Sequence, residues 1–140
     1  MNGETNVIVT DTGFGPDDWN GGFVPLADWT PEGGAGLDLL PADDPAALRP
    51  CLEDVPAIRV AFPAFSDGRG FTIARRLRLM GYGGRLRAFG HLIADQYAMA
   101  RRSGFDEVEI APELARRQPQ DQWLRRADWR AHDYQSRLRA

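Results

Sequence analysis

The chain has 140 residues, 43% hydrophobic and 26% charged, with a formal net charge of −3, which is the balance of one globular domain long enough to bury a core. No apolar run approaches the roughly 20 residues that span a bilayer, and the N-terminus lacks the basic-then-apolar order of a signal peptide, so the expectation is a cytoplasmic protein without membrane contact. Cys51 is the single cysteine, which excludes an intrachain disulfide, a thiolate-bound iron–sulfur cluster and a multi-cysteine zinc site.

Residues 6–11 (NVIVTD) read as a short strand, 13–22 as a turn-rich stretch and 23–29 (FVPLADW) as a second strand, with Pro25 pointing to a sheet edge. Residues 30–36 (TPEGGAG) form a connector. From there strands and helices alternate. A short strand over 37–41 precedes a short helix opened by Asp43 or Asp44 and Pro45 and interrupted at Pro50. A strand over 57–62 precedes a helix over 71–81 with Ile73, Leu77 and Met80 on one stripe. A strand over 85–89 precedes a helix over 91–104, and a last strand covers 107–111. The tail, 119–140, reads as one final helix with Trp123, Ala127, Tyr134 and Leu138 on a face.

The predicted fold is therefore α/β: a four-stranded, mostly parallel sheet built from βα units, half-barrel-like or open, with an N-terminal β-arm and a C-terminal helix. One domain is expected over 1–140, divided into arm and connector (1–36), βα core (37–111) and helical tail (112–140).

Period two along these strands separates an apolar face from a charged one. Ile58, Val60, Leu86, Val108 and Ile110 lie on the first; Asp38, Arg59, Arg87 and Glu109 lie on the second. Parallel strands are usually apolar on both faces. Right-handed crossovers between neighbouring strands put every helix on one side, so the charged face needs another cover: the arm, the tail, a second subunit or a ligand. Charge is also divided along the chain. Residues 1–48 hold nine acids and no base, and residues 49–140 hold 17 Arg, with no Lys, and 11 acids. The two parts attract each other or an acidic partner, while the interleaving of Arg with acids argues against nucleic acid.

Sites in this class sit in loops after the C-terminal ends of parallel strands, and FSDGRG lies in such a loop. Asp67 is placed to cap the following helix, and Gly68, Arg69 and Gly70 make a candidate anion site with the first N–H groups of that helix. Arg87 joins it as a second candidate anion ligand. Gly90 and His91 follow the next strand on the same rim. Asp67, Arg69, Arg87 and His91 are the candidate catalytic residues. With two histidines, His91 and His132, and one cysteine, no metal site is expected, and no cofactor is evident. No serine has the surroundings of a hydrolase nucleophile.

The stretches FPAFSDGRGFTIARRLR, GYGGRLRAFGHLIADQ and RRSGFDEVEI, with the early DDW and the late DYQ, resemble a bacterial family catalogued as a domain of unknown function. Its members are commonly labelled oxidoreductases of sulfite reduction, because their genes lie beside that of the assimilatory sulfite reductase haemoprotein. The resemblance implies a role in sulfur assimilation carried by Asp67, Gly68, Arg69, Arg87, Gly90, Asp95 and Gln96. The chain departs from the family pattern at Arg85, commonly Glu, at His91, commonly Asp, and at Ser103, commonly Cys.

Two functions follow as expectations. The first is an accessory or partner protein of assimilatory sulfite reduction, docking on the reductase haemoprotein or its electron donor, with the 67–70 loop as a candidate oxyanion site. The alternative is a small independent enzyme acting on an anionic sulfur- or phosphate-containing substrate at the strand ends. A homodimer joined through the charged faces is a third reading.

Overall fold

The computed structural model of the chain describes residues 5–130. The expected four-stranded, mostly parallel sheet is not what forms. One mixed sheet of seven strands does, in the order β2-β1-β7-β6-β5-β4-β3. Its strands are β1 (Val7–Thr10), β2 (Gly13–Gly15), β3 (Phe23–Pro25), β4 (Gly36–Leu39), β5 (Ala57–Phe62), β6 (Arg85–Gly90) and β7 (Glu107–Ile110). Strands β3 to β7 run parallel, whereas β1 pairs antiparallel with β7 and with β2. The N-terminal region is thus no separate arm. A sheet edge leaves a row of N–H and C=O groups unpaired, and this region satisfies both edges, with β1 on β7 and β3 on β4.

Four α-helices are present among the described residues: α1 (Arg69–Leu79), α2 (Tyr97–Ser103), α3 (Pro112–Arg117) and α4 (Gln120–Leu124). Both α1 and α2 close in the same way. Gly81 and Gly104 take positive φ, and the next residue donates back five positions, Tyr82 N–H to Leu77 O and Phe105 N–H to Ala100 O. The segment expected as a short helix after β4 is instead two 3-10 turns, Pro45–Leu48 and Leu52–Asp54. The helix expected over 91–104 begins only at Tyr97. Ile93 is extended, and Gln96 Oε1 accepts its N–H, which turns the chain before the helix starts. The tail helix reaches only Leu124 among the described residues; Tyr134, Leu138 and His132 lie outside them. No helix among the described residues is long and apolar enough to cross a membrane.

The helix-side core is apolar. Ile58, Val60 and Phe62 of β5, Leu86 and Ala88 of β6, and Val108 and Ile110 of β7 pack with Phe71, Ala74 and Leu77 of α1 in one buried cluster.

The opposite face carries the charges, in register. Asp38, Arg59, Arg87 and Glu107 stand side by side on β4 to β7. Two cations facing each other on neighbouring strands repel. Carboxylates on both sides offset this. Arg59 binds Asp38 through Nε at 2.7 Å and NH2 at 2.9 Å, Arg87 Nε binds Glu107 at 2.7 Å, and Glu109 Oε1 accepts from both arginines at 3.1 and 2.9 Å. Phe23 of β3 lies across them, its ring centroid 4.4 Å from the Arg59 guanidinium and 5.3 Å from that of Arg87.

Residues 16–22 strap this face. They join β2 at one edge to β3 at the other. Laid flat, six inter-strand steps of about 4.8 Å make about 29 Å, and eight extended residues reach about 26–29 Å. Sheet twist shortens the path, so the strap fits with little slack. Among the described residues its side-chain bonds to the strands beneath run through Asp17 to Arg87 and Asp18 to Arg85.

Candidate functional site

The strap covers the half of the charged face that lies toward the strand starts. Beyond it, the chemistry of that face changes. The next residues with the same orientation are Leu40 after β4, Ala61 on β5 and Phe89 on β6, where Ala61 pairs with Phe89 and Phe89 with Glu109. An apolar groove therefore crosses the C-terminal ends of the strands, in two lobes that share Ala61 and Phe89. One lobe, about 540 Å³, reaches from them to Phe65, His91 and Arg117, and the other, about 380 Å³, to Leu26 and Leu40. A larger cavity of about 850 Å³ lies at the opposite end, between residues 49–56 and 80–84. It sits at the strand starts, whereas sites in parallel sheets gather at strand C-termini.

The rim of the groove is two loops held edge to edge. Gly90, at φ 120°, lets the loop after β6 approach the end of β5: a Cβ there would lie 2.6 Å from Phe62 O. The His91 N–H donates to that same oxygen at 2.9 Å, and His91 Nδ1 is 3.2 Å from it. A carbonyl oxygen only accepts, so Nδ1 carries a hydrogen, and in the neutral ring Nε2 is the acceptor. From the other loop, Phe65 meets the His91 ring edge-on at 5.0 Å. Gln96 Nε2 holds the Phe65 carbonyl at 3.3 Å. Gly70 admits the Phe62 ring, which would lie 2.4 Å from a Cβ at that position.

Asp67 and Arg69 pair with each other. The Arg69 Nε and NH2 donate to the carboxylate at 3.0 and 2.7 Å, and the Arg69 backbone N–H donates at 3.2 Å. The bonds from Arg69 hold the Asp67 carboxyl below its ordinary range. An anion at this loop competes with Asp67 for Arg69.

The structure thus brings Asp67, Gly68, Arg69, Gly70, Gly90, His91 and Gln96 to one rim. It does not bring Arg87 there. Arg87 is fully buried in the ladder beneath the strap, paired with Asp17, Glu107 and Glu109. Burial alone would lower its pKa, but these carboxylates outweigh burial and raise it, so the guanidinium stays charged. Asp95 points away from the groove, to Arg126 at 2.7 Å. Among the described residues no cluster of three or more His, Cys, Asp or Glu is arranged to hold a metal ion.

Sequence reasoning passed over Ala61, Phe89 and Phe65. A signal for the first two was present: in each strand the charged alternation stops one step before the end, at Arg59 then Ala61 and at Arg87 then Phe89.

A family model described as a bacterial protein of unknown function (DUF934) matches residues 36–140. No curated protein matches the chain, and neither does any solved structure.

Proposed function

The chain belongs to the DUF934 family, and from that premise we propose that it serves assimilatory sulfite reduction as an accessory protein acting through its C-terminal rim. One observation supports this reading most: five of the seven residues that carry the resemblance to sulfite-reduction proteins, Asp67, Gly68, Arg69, Gly90 and Gln96, converge on one rim. Gly90 lets the two loops meet, Gln96 ties them, and the Asp67–Arg69 pair closes the turn before α1. The effect is to present Phe65, 40% exposed, and His91 at the mouth of an apolar groove whose far side carries Leu40, 60% exposed. Large apolar side chains held at a surface in this way suit contact with a partner.

The partner class follows from redox chemistry. One cysteine and two histidines are a poor electron-carrying set, so reducing equivalents in this role come from the reductase haemoprotein, its electron donor or a bound group. Growth of a deletion strain on sulfate, sulfite and sulfide in turn tests the proposal. Growth on sulfide or cysteine, with failure on both sulfate and sulfite, is the expected result, together with recovery of reductase components on the tagged chain. Normal growth on sulfate with no recovery overturns it.

A further inference from the structure

We propose that the groove above Phe89 is a binding site for a planar heteroaromatic ring bearing a ring N–H. This inference stands on the walls of the groove and does not depend on the sulfur-assimilation reading.

The floor is prepared for stacking. Arg59 is sandwiched between two rings, with its guanidinium carbon 4.4 Å from the centroid of Phe23 and 4.4 Å from that of Phe89. Asp38 and Glu109 hold that guanidinium by three bonds of 2.7 to 3.1 Å. Phe89 is thereby fixed by a clamped neighbour, so a ligand stacking on it meets a platform already ordered. The cation on the ring draws on its π density, which favours an electron-rich flat partner over an aliphatic one.

Space and edges agree with this. Ala61, paired with Phe89 across β5 and β6, has only a methyl group, and the two lobes of the groove meet above these two residues. The opposite wall is the Phe65–His91 pair, set at 87°. His91 lines the larger lobe with Nδ1–H committed to Phe62 O, so in the neutral ring Nε2 is the nitrogen that accepts a hydrogen bond from an N–H on the ligand. A lobe of about 540 Å³ has the size of a small-molecule site.

The test is a titration of the ¹⁵N-labelled full chain with indole, 1-methylindole and cyclohexanol. Indole is expected to give saturable shifts at Ala61, Phe65, Phe89, Gly90 and His91, and to bind about two- to tenfold more tightly than cyclohexanol. N-methylation weakens binding in the wild type but not in His91→Ala. Ala61→Leu, which fills the junction of the lobes, abolishes the shifts while its spectrum stays dispersed. Cyclohexanol binding as well as indole shows a generic apolar cleft and overturns the proposal. Shifts confined to residues 80–84, or no saturable shift up to the solubility limit, overturn it as well. Growth of the deletion strain enters none of these outcomes, so the two proposals fail separately.

Discussion

Asp17 closes both ends of the Arg87 guanidinium, with Oδ1 2.9 Å from NH2 and Oδ2 3.0 Å from NH1. Glu107 and Glu109 take the remaining sides at 2.7 and 2.9 Å. A residue from the strap thus completes the coordination of a cation buried under the sheet face.

Removing that cation strands buried acids. Arg87→Ala leaves Glu107 and Glu109, each 5% exposed, with one guanidinium fewer between them. The expected loss is about 3–5 kcal/mol, read from denaturant unfolding at neutral pH. A loss under about 1 kcal/mol would mean that the ladder holds without its centre.

Strap docking depends on pH with a defined sign. The bond from Arg87 comes first among the effects that hold the Asp17 pKa below its unfolded value of 3.8. A lowered carboxyl contributes stability that is fully present above the unfolded value and fades as pH falls through the folded one. The melting-temperature gap between wild type and Asp17→Asn is therefore expected to stay constant from about pH 7 to 5 and to close below about pH 4. A gap that widens on acidification contradicts the pairing.

The rim glycines differ in what a methyl group meets. At Gly68 the nearest atom to a Cβ is a Phe71 ring carbon at 3.8 Å, an ordinary contact. At Gly70 it is the Phe62 ring at 2.4 Å, and at Gly90 the Phe62 carbonyl at 2.6 Å with φ at 120°. Gly68→Ala is expected to stay within about 1 kcal/mol of wild type, while Gly70→Ala and Gly90→Ala each lose about 2 kcal/mol or more. Equal losses at the three positions would show that the close approach to Phe62 does not shape the rim.

Ser103 offers the opposite sign. It is 2% exposed, and its hydroxyl has no hydrogen-bond partner among the described residues. Ser103→Ala should raise stability by about 1 kcal/mol, and Ser103→Cys, the residue common in the resembled family, should also raise it. Thermal unfolding of both variants decides the matter, and destabilisation in both means the hydroxyl is satisfied.

The parts of this fold that local patterns specify were legible. Alternation such as Ile58-Arg59-Val60 marks a strand with two chemically different faces, and the glycines after Met80 and Ser103 mark helix ends. The pairings at the sheet edges were not legible, because β1 meets β7 and β3 meets β4 through backbone groups that carry no residue signature. The rim was half legible. FSDGRG and Gly90–His91 point to it by position, but the groove floor is written as a small residue, Ala61, whose meaning depends on Phe89 across the register. Arg87 misleads for the same reason: its isolation on a polar strand face resembles a ligand-binding arginine until Asp17 is placed over it.

The antiparallel pairing of β1 with β7 also governs how the chain can be made. Asn6 and Glu109, 103 positions apart, share a hydrogen bond of 2.8 Å. During synthesis at about 5–20 residues per second, the first hairpin emerges several seconds before β7, the strand it pairs with outside itself among the described residues. The β1–β2 ribbon alone is too small to be stable in water. The segment made first is consequently among the last to be ordered, and the strap, with the seal over Arg87, waits for it. A ribosome-bound nascent chain lacking β7 should leave Arg85 and Arg87 without the carboxylates of β7 and of the strap.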